Sequence, residues 1–198
     1  MMEQERTRTR MAGGLRISLI PFALCAFAPW SSASDFELLS VGIRTNFSQA
    51  RVLGQEQPES FRAYDVVTTT RLPWKPWDEL SGSGWEVGTR LLASVGVLRG
   101  EADKAGLVVS AIPVIAFGRQ DGRFTLDLGA GFALLSKPAY ARQDFGGALQ
   151  FALTLGLSVP LYERIGVGYR FQHYSDGGAY GHEKTGVDFH MIELTYRF

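Results

Sequence analysis

Apolar residues recur at every second position through most of the chain after residue 35. The clearest run lies in 147–159, where leucine, phenylalanine and valine alternate with glutamine, alanine, threonine, glycine and serine. A period of two indicates β-strands, because successive side chains of a strand point to opposite faces. The pattern predicts about eight strands, at 36–47, 61–74, 83–96, 105–117, 123–135, 147–159, 165–175 and 188–198.

The predicted strands and connections are typical of an outer-membrane barrel. Most of the strands reach the roughly 9–11 residues that a tilted strand needs to cross a bilayer. Short connections at 75–82, 118–122 and 160–164 alternate with usually longer ones at 48–60, 97–104, 136–146 and 176–187. Short turns at one end and long loops at the other are a feature of such barrels. We therefore expect one all-β domain at 35–198, an eight-stranded antiparallel transmembrane β-barrel.

The alternate face of these strands distinguishes this barrel from a soluble one. A soluble eight-stranded barrel of lipocalin type turns its apolar side chains inward, whereas a transmembrane barrel turns them towards lipid. The second face here is rich in small and charged residues, among them Glu86, Arg90, Asp127, Gly166, Gly168 and Arg170. Such residues suit a narrow polar interior and would make a poor dry core. Since side chains can fill an eight-stranded barrel, a channel is disfavoured.

The first 34 residues have the order of a secretory signal peptide. Several arginines precede an apolar run at 17–30, and small residues follow at 31–34. This order predicts a signal peptide at 1–34 and export of the remaining chain. A retained membrane anchor is disfavoured, because prolines interrupt a run that is already short for a spanning helix. Cys25 lies within the run after Leu24, which is not the small residue that a lipoprotein site needs, so the mature chain should contain no cysteine.

The charge balance excludes some function classes. The chain has 20 basic and 20 acidic residues and a formal net charge of zero. No basic surface favours nucleic-acid binding, and no acidic run favours a solvating tail. The Ser81–Gly84 segment lacks the strand-to-helix context of a phosphate-binding loop, so turn formation explains it better. We expect neither a nucleic-acid partner nor a cofactor.

The candidate chemistry lies at the ends of the last two strands. On the seventh strand, the apolar face at 165–171 continues to His173 and Ser175. On the eighth, the apolar face continues upward from Phe198 to His190 and Asp188. If the strands pair about the middle of their loop, Asp188 lies opposite Ser175 or one diagonal step away, close to His173. An even strand number places both termini in the periplasm, so this group is expected at the extracellular side.

A histidine, a serine and a carboxylate together supply the groups for acyl transfer. His173 would take the proton from Ser175, and Asp188 would orient the imidazole. The alternative is that these are ordinary polar residues at the barrel rim, where strands meet lipid headgroups. His182 and Glu183, with His190 and Asp188, also permit a metal cluster, but their spacing matches no metal motif and we expect no metal. Glu183 is a second candidate for the acid.

The final hairpin resembles that of a known enzyme family. The segments Phe171–Gly178 and Gly186–Asp188 resemble the outer-membrane lipid A 3-O-deacylases of the PagL type, which have His-x-Ser-Asn-x-Gly followed by Gly-x-Glu. The resemblance implies an eight-stranded barrel with a metal-independent serine hydrolase site in the outer leaflet. It makes Ser175 the nucleophile, His173 the base and Asp188 the acid, where the family usually has glutamate.

One position departs from the family pattern. Asp176 stands where the family has an asparagine associated with the oxyanion hole, and an ionised carboxylate donates no hydrogen bond. The oxyanion hole would then be formed by backbone N–H groups around Asp176 and Gly178. The expected function is hydrolysis of an ester-linked 3-hydroxyacyl chain of lipid A in lipopolysaccharide, with outer-membrane lipids as surroundings. A non-enzymatic small barrel with a structural or adhesion role is the alternative.

Overall fold

The computed structural model describes residues 36–53, 57–74, 82, 84–101, 103–181 and 186–198. The predicted signal peptide, together with His182 and Glu183, lies outside the described residues. Among the described residues, no helix has the length and apolar character needed to cross a membrane. The eight strands are β1 (Glu37–Ser48), β2 (Phe61–Arg71), β3 (Trp85–Gly100), β4 (Gly106–Arg119), β5 (Thr125–Leu135), β6 (Leu149–Tyr162), β7 (Ile165–Ser175) and β8 (Val187–Arg197).

The strands form a closed antiparallel barrel. Each strand pairs with the next in sequence, and β8 pairs with β1 to close the sheet. The predicted all-β, eight-stranded barrel is therefore confirmed. Both ends of the described chain lie at one end of the barrel, which we call the terminal end. The opposite end, the site end, carries the connections 49–60, 101–105, 136–148 and 176–186.

Two connections differ in length from the predictions. The connection 72–84 at the terminal end was expected to be short but is longer, because β2 ends early, at Arg71. Pro73 has no N–H group with which to continue the ladder. The connection 101–105 at the site end was expected to be longer. It is short because the alternation continues through exposed Val97 and buried Leu98, which extends β3 to Gly100.

The two faces of the barrel have the polarity that a bilayer requires. Outward side chains of β5 and β6, such as Leu128 and Phe151, are exposed and apolar, whereas inward ones such as Asp127, Gln150 and Thr154 are buried and polar. Because β-strands alternate strictly, the apolar period of each strand becomes one continuous outer surface. This arrangement suits lipid outside and a hydrogen-bonded interior, the opposite of a soluble barrel.

A buried ionic network holds the interior. Arg170 donates to both oxygens of Asp127 at 2.6 and 3.1 Å, to Glu193 Oε2 at 3.1 Å and to Thr154 Oγ1 at 3.1 Å. A guanidinium group between two carboxylates satisfies charges that would otherwise be costly to bury. The network joins β5, β6, β7 and β8, the strands that carry or flank the site described below.

We expect Arg170→Met to destabilise the barrel by about 3–5 kcal/mol, because it leaves Asp127 and Glu193 buried without their shared cation. Arg71→Met is the matched control, since Arg71 pairs with Glu37 and Glu86 at partly exposed positions, where such pairs contribute about 0–1 kcal/mol. Unfolding by guanidinium chloride in lipid vesicles measures both. Equal unfolding midpoints for the two variants would contradict this account of the network.

Aromatic side chains fill the barrel at the site end. The Phe61 ring packs against those of Tyr140, Phe145 and Phe189, with centroids 5.0, 5.9 and 6.4 Å apart. The Tyr140 hydroxyl donates to the carbonyl of Leu98 at 3.0 Å, and burial raises the pKa of Tyr140 to about 12. The connection 136–148 is thereby packed onto the ends of β2 and β3.

Candidate functional site

Strand pairing establishes which way His173 and Ser175 point. His173 lies opposite Leu153 of β6, and Ser175 lies opposite Phe151. Directly opposite residues share a face of the sheet, and Leu153 and Phe151 are exposed on the outer surface. Both side chains are therefore on the outward, apolar face of the barrel, as the parity of the seventh strand predicts.

Asp188 completes a polar group on this face. Its partner across the β7–β8 ladder is His173, so Ser175 lies one diagonal step away, the second of the two predicted registers. His173 Nδ1 and Asp188 Oδ1 are 2.5 Å apart. A carboxylate accepts this bond and His173 Nδ1–H donates it, which leaves Nε2 with its lone pair free to accept a proton.

Asp188 is held on its other side by the connection between β1 and β2. Asp188 Oδ2 accepts hydrogen bonds from the backbone N–H groups of Val52 at 2.6 Å and Leu53 at 2.9 Å. The carboxylate is fully buried, although its position on β8 belongs to the outward face. Two N–H donors and the imidazole thus stabilise its charged form and determine its orientation. The sequence gives no sign of these contacts, because backbone donors carry no residue signature.

Gly186 packs directly against the imidazole of His173. A Cβ atom at this position would lie 2.8 Å from His173 Cε1, 3.2 Å from Nε2 and 2.8 Å from the carbonyl oxygen of Tyr174. These distances are below ordinary van der Waals contact, so a side chain here displaces the ring. Within the described residues no hydrogen bond joins the Ser175 hydroxyl to His173. Such contacts often tighten only when substrate binds.

We expect Gly186→Ala to lower the expected hydrolase activity about 10- to 100-fold, because a small displacement of the imidazole would misalign the proton transfer predicted for His173. Gly88→Ala is the matched control. A Cβ atom there meets nothing closer than a carboxylate oxygen at 4.0 Å. The rate of acyl-chain release by each purified variant is the measurement, and full activity of Gly186→Ala would show that the ring has room to move.

Asp176 organises the loop that follows Ser175. Its carboxylate accepts hydrogen bonds from the N–H groups of Gly178 and Tyr180, both at 3.0 Å. Gly177 and Gly178 have φ angles of 60° and 84°, a conformation that favours glycine. The carboxylate therefore serves as a loop cap. Gly178 N–H already has an acceptor and would have to leave it to bind an oxyanion, so the oxyanion-hole assignment of Asp176 and Gly178 stays a prediction.

We expect Asp176→Asn to lower stability by roughly 1–2 kcal/mol while the site stays active, because the amide keeps one acceptor for the loop and gains a donor. Asp176→Ala should lose both the stability and the activity. Thermal unfolding and acyl-chain release, measured side by side, separate the two effects. An inactive but folded Asp176→Asn protein would mean that the carboxylate itself is needed.

His190, considered above as a metal ligand, instead contacts a backbone carbonyl and a tyrosine hydroxyl. Its Nε2 lies 2.9 Å from the carbonyl oxygen of Ala50, and its Nδ1 lies 2.6 Å from the Tyr169 hydroxyl. In the part of the chain that the structure describes, no three metal-ligating side chains come together. The alternative acid, Glu183, lies outside that part.

Known proteins resemble this chain in sequence and in fold. The family model described as "Lipid A 3-O-deacylase (PagL)" matches residues 62–197. The chain belongs to this family. The matched region contains His173, Ser175 and Asp188, while the N–H donors Val52 and Leu53 lie before it.

Two relatives of the PagL family show how far the likeness extends. Lipid A deacylase PagL from Bordetella bronchiseptica is 30% identical over 89 residues, which cover 45% of this chain and 49% of that protein. The match therefore spans about half the length of the relative. A crystal structure of the outer membrane enzyme PagL superposes with a TM-score of 0.64 at 16% identity and covers 80% of this chain and 99% of the other. At this identity the superposition supports the fold alone.

Proposed function

We propose that this protein is a lipid A 3-O-deacylase that hydrolyses one ester-linked 3-hydroxyacyl chain of lipopolysaccharide. The observation that carries the proposal is the His173–Asp188 pair, one step along the barrel surface from Ser175 and facing outward. Polar side chains of this kind are energetically unfavourable on a lipid-facing surface, and they commonly mark a functional site there. Membership of the PagL family supports the same activity.

The proposed reaction proceeds in two steps. His173 Nε2 takes the Ser175 proton as the hydroxyl oxygen attacks the ester carbonyl, and Asp188 stabilises the imidazolium that forms. The tetrahedral intermediate collapses to an acyl-serine, and the sugar hydroxyl leaves with the proton held by His173. Water then attacks the acyl-serine with the same base assistance, which releases the 3-hydroxy fatty acid and restores the serine.

The outer surface between the site and the terminal end suits a lipid substrate. A shallow apolar groove of about 370 Å³ runs along the outward faces of β6, β7 and β8. The side chains that line it include Phe47, Leu157, Val159, Val167, Tyr169 and Ile192. A groove on this surface lets an acyl chain remain in an apolar environment while its ester approaches Ser175. The lipid layer itself thus forms part of the substrate site.

The topology supports a location in the outer leaflet of the outer membrane. Both ends of the described chain lie at the terminal end, and Ser175 lies at the opposite end. Bacterial barrels of this kind have their termini and short turns on the periplasmic side. The site end would then face the cell exterior, where lipopolysaccharide resides. The predicted signal peptide at 1–34 is consistent with this route.

Mass spectrometry of lipid A from cells that produce the protein tests the proposal. We expect loss of a single hydroxyacyl chain relative to cells with an empty vector. In water enriched in ¹⁸O, the released fatty acid should contain one heavy oxygen, because water hydrolyses the acyl-serine. Unchanged lipid A in cells whose outer membrane contains the folded barrel would instead favour the non-enzymatic structural or adhesion role.

A further inference from the structure

A short segment of the β1–β2 connection packs against the triad acid. The segment Ala50–Leu53 contributes two backbone N–H groups to Asp188 Oδ2 and one carbonyl group, from Ala50, to His190. The side chains of Val52 and Leu53 are exposed and make no hydrogen bond. The segment is therefore attached to side chains of β8 through its backbone at both ends, and the side chains of Val52 and Leu53 take no part in these hydrogen bonds.

His190 is held in a defined orientation on β8. The carbonyl of Ala50 only accepts hydrogen bonds, so His190 Nε2 must donate to it. In the neutral ring Nδ1 is then an acceptor, and the Tyr169 hydroxyl donates to it at 2.6 Å. The rings of Phe47 and Phe171 lie 6.4 and 5.5 Å from the imidazole and limit its movement. Each polar atom of His190 thus has one partner, and one of them belongs to the segment.

A series of hydrogen bonds connects Tyr169 to Asp188, the proposed acid of the triad. The Tyr169 hydroxyl orients His190, His190 binds Ala50, and the next residues present their N–H groups to Asp188. Asp188 in turn holds His173. His190 and Asp188 lie two residues apart on β8 and share its outward face, so the segment bridges two neighbouring side chains of that face.

We propose that His190 is a positioning residue of the active site, which acts on Asp188 through the backbone of Ala50–Leu53. The segment excludes water and lipid from Asp188 and aims its other oxygen at His173. Loss of the segment would remove two hydrogen-bond donors from Asp188 Oδ2, which weakens the hold of the carboxylate on the imidazole. The inference rests on the proposed hydrolase function, because positioning of an acid matters only if the site is catalytic.

Proline substitution tests the backbone donors directly. Val52→Pro and Leu53→Pro each remove one N–H group, whereas Val52→Ala and Leu53→Ala keep it and shorten the same exposed side chain. We expect the proline variants to lose about 10-fold in kcat with KM within about 2-fold, and the alanine variants to stay near wild type. Equal rates for proline and alanine at both positions would overturn the proposal.

Substitutions of His190 test the link from the other side. His190→Phe keeps an aromatic ring but removes both polar atoms, and it should lower kcat about 10-fold. His190→Gln restores a donor to Ala50 and should recover part of the loss. Tyr169→Phe should lower kcat, while Tyr196→Phe, which removes a hydroxyl from the same outer face at the terminal end, should not. Unchanged kcat in His190→Phe would contradict the proposal.

Amide hydrogen exchange separates this inference from the proposed function. In wild-type protein the Val52 and Leu53 amides should be protected, and His190→Phe should abolish the protection even in a preparation that is not turning over. Retained protection in His190→Phe would overturn the link. A wild-type protein that shows protected amides but no deacylase activity would overturn the proposed function and leave the structural link intact.

Discussion

Ser175→Ala is expected to fold normally and to lose acyl-chain release by a factor of at least about 10⁴, because the proposed reaction needs its hydroxyl as the nucleophile. The serine side chain is partly exposed on the outer surface and makes no hydrogen bond to other described residues, so its removal should leave the barrel intact. The rate of 3-hydroxy fatty acid release from lipopolysaccharide vesicles measures the loss.

Thr45→Ala is a suitable comparison for this variant, since it removes a hydroxyl from the outward face of β1 away from His173. It should release fatty acid at the wild-type rate. His173→Ala should be as inactive as Ser175→Ala, because the two groups act as one unit. Residual activity of Ser175→Ala within 10-fold of wild type would remove Ser175 from the mechanism.

Asp188→Asn is expected to lower kcat by roughly 10³- to 10⁴-fold. An asparagine has only one acceptor atom, and Asp188 serves His173 with one oxygen and the N–H groups of Val52 and Leu53 with the other. If the amide nitrogen turns towards the imidazole, it stabilises the wrong tautomer, with the proton on Nε2. If it turns towards the segment, it faces two donors.

Asp188→Glu separates charge from geometry. It introduces the longer acid that the resemblance to the PagL family implies at this position, but it adds a methylene group where the carboxylate already lies 2.5 Å from His173. We expect activity between those of wild type and Asp188→Asn, with KM little changed. Steady-state kinetics on the same vesicles gives both parameters. If Asp188→Asn keeps wild-type turnover, the acid must be another residue.

The barrel and the direction of the site were predictable because both depend on alternation. A strand period of two determines which face each residue occupies, and it correctly grouped His173 and Ser175 with the apolar side chains. Asp188 required one more fact, the pairing register. Sequence allowed two registers, and the structure has His173 opposite Asp188. Periodicity was thus sufficient for the fold and for the outward direction of His173 and Ser175, whereas the contact between Asp188 and His173 depends on the register.

The surroundings of the acid were not predictable in the same way. Val52 and Leu53 act through backbone N–H groups, which every residue except proline has, and they are far from Asp188 in sequence. The hydrogen bonds of the loop after Ser175 could not be predicted from the sequence either. The N–H group of Gly178 was a candidate for the oxyanion hole, but in the structure it donates to the Asp176 carboxylate. His190 was visible as a histidine, yet its partner is a carbonyl group. Tertiary contacts to the main chain leave no pattern in the residue types.

Covalent labelling of Ser175 tests the central claim most directly. A fluorophosphonate with a long alkyl chain should react with the serine of an active hydrolase and occupy the lipid-facing groove. In one sample of vesicles, we predict that deacylase activity falls in proportion to the fraction of protein labelled at Ser175, as read by peptide mass spectrometry. Complete labelling of Ser175 with full activity, or complete inhibition with Ser175 unlabelled, would contradict the account.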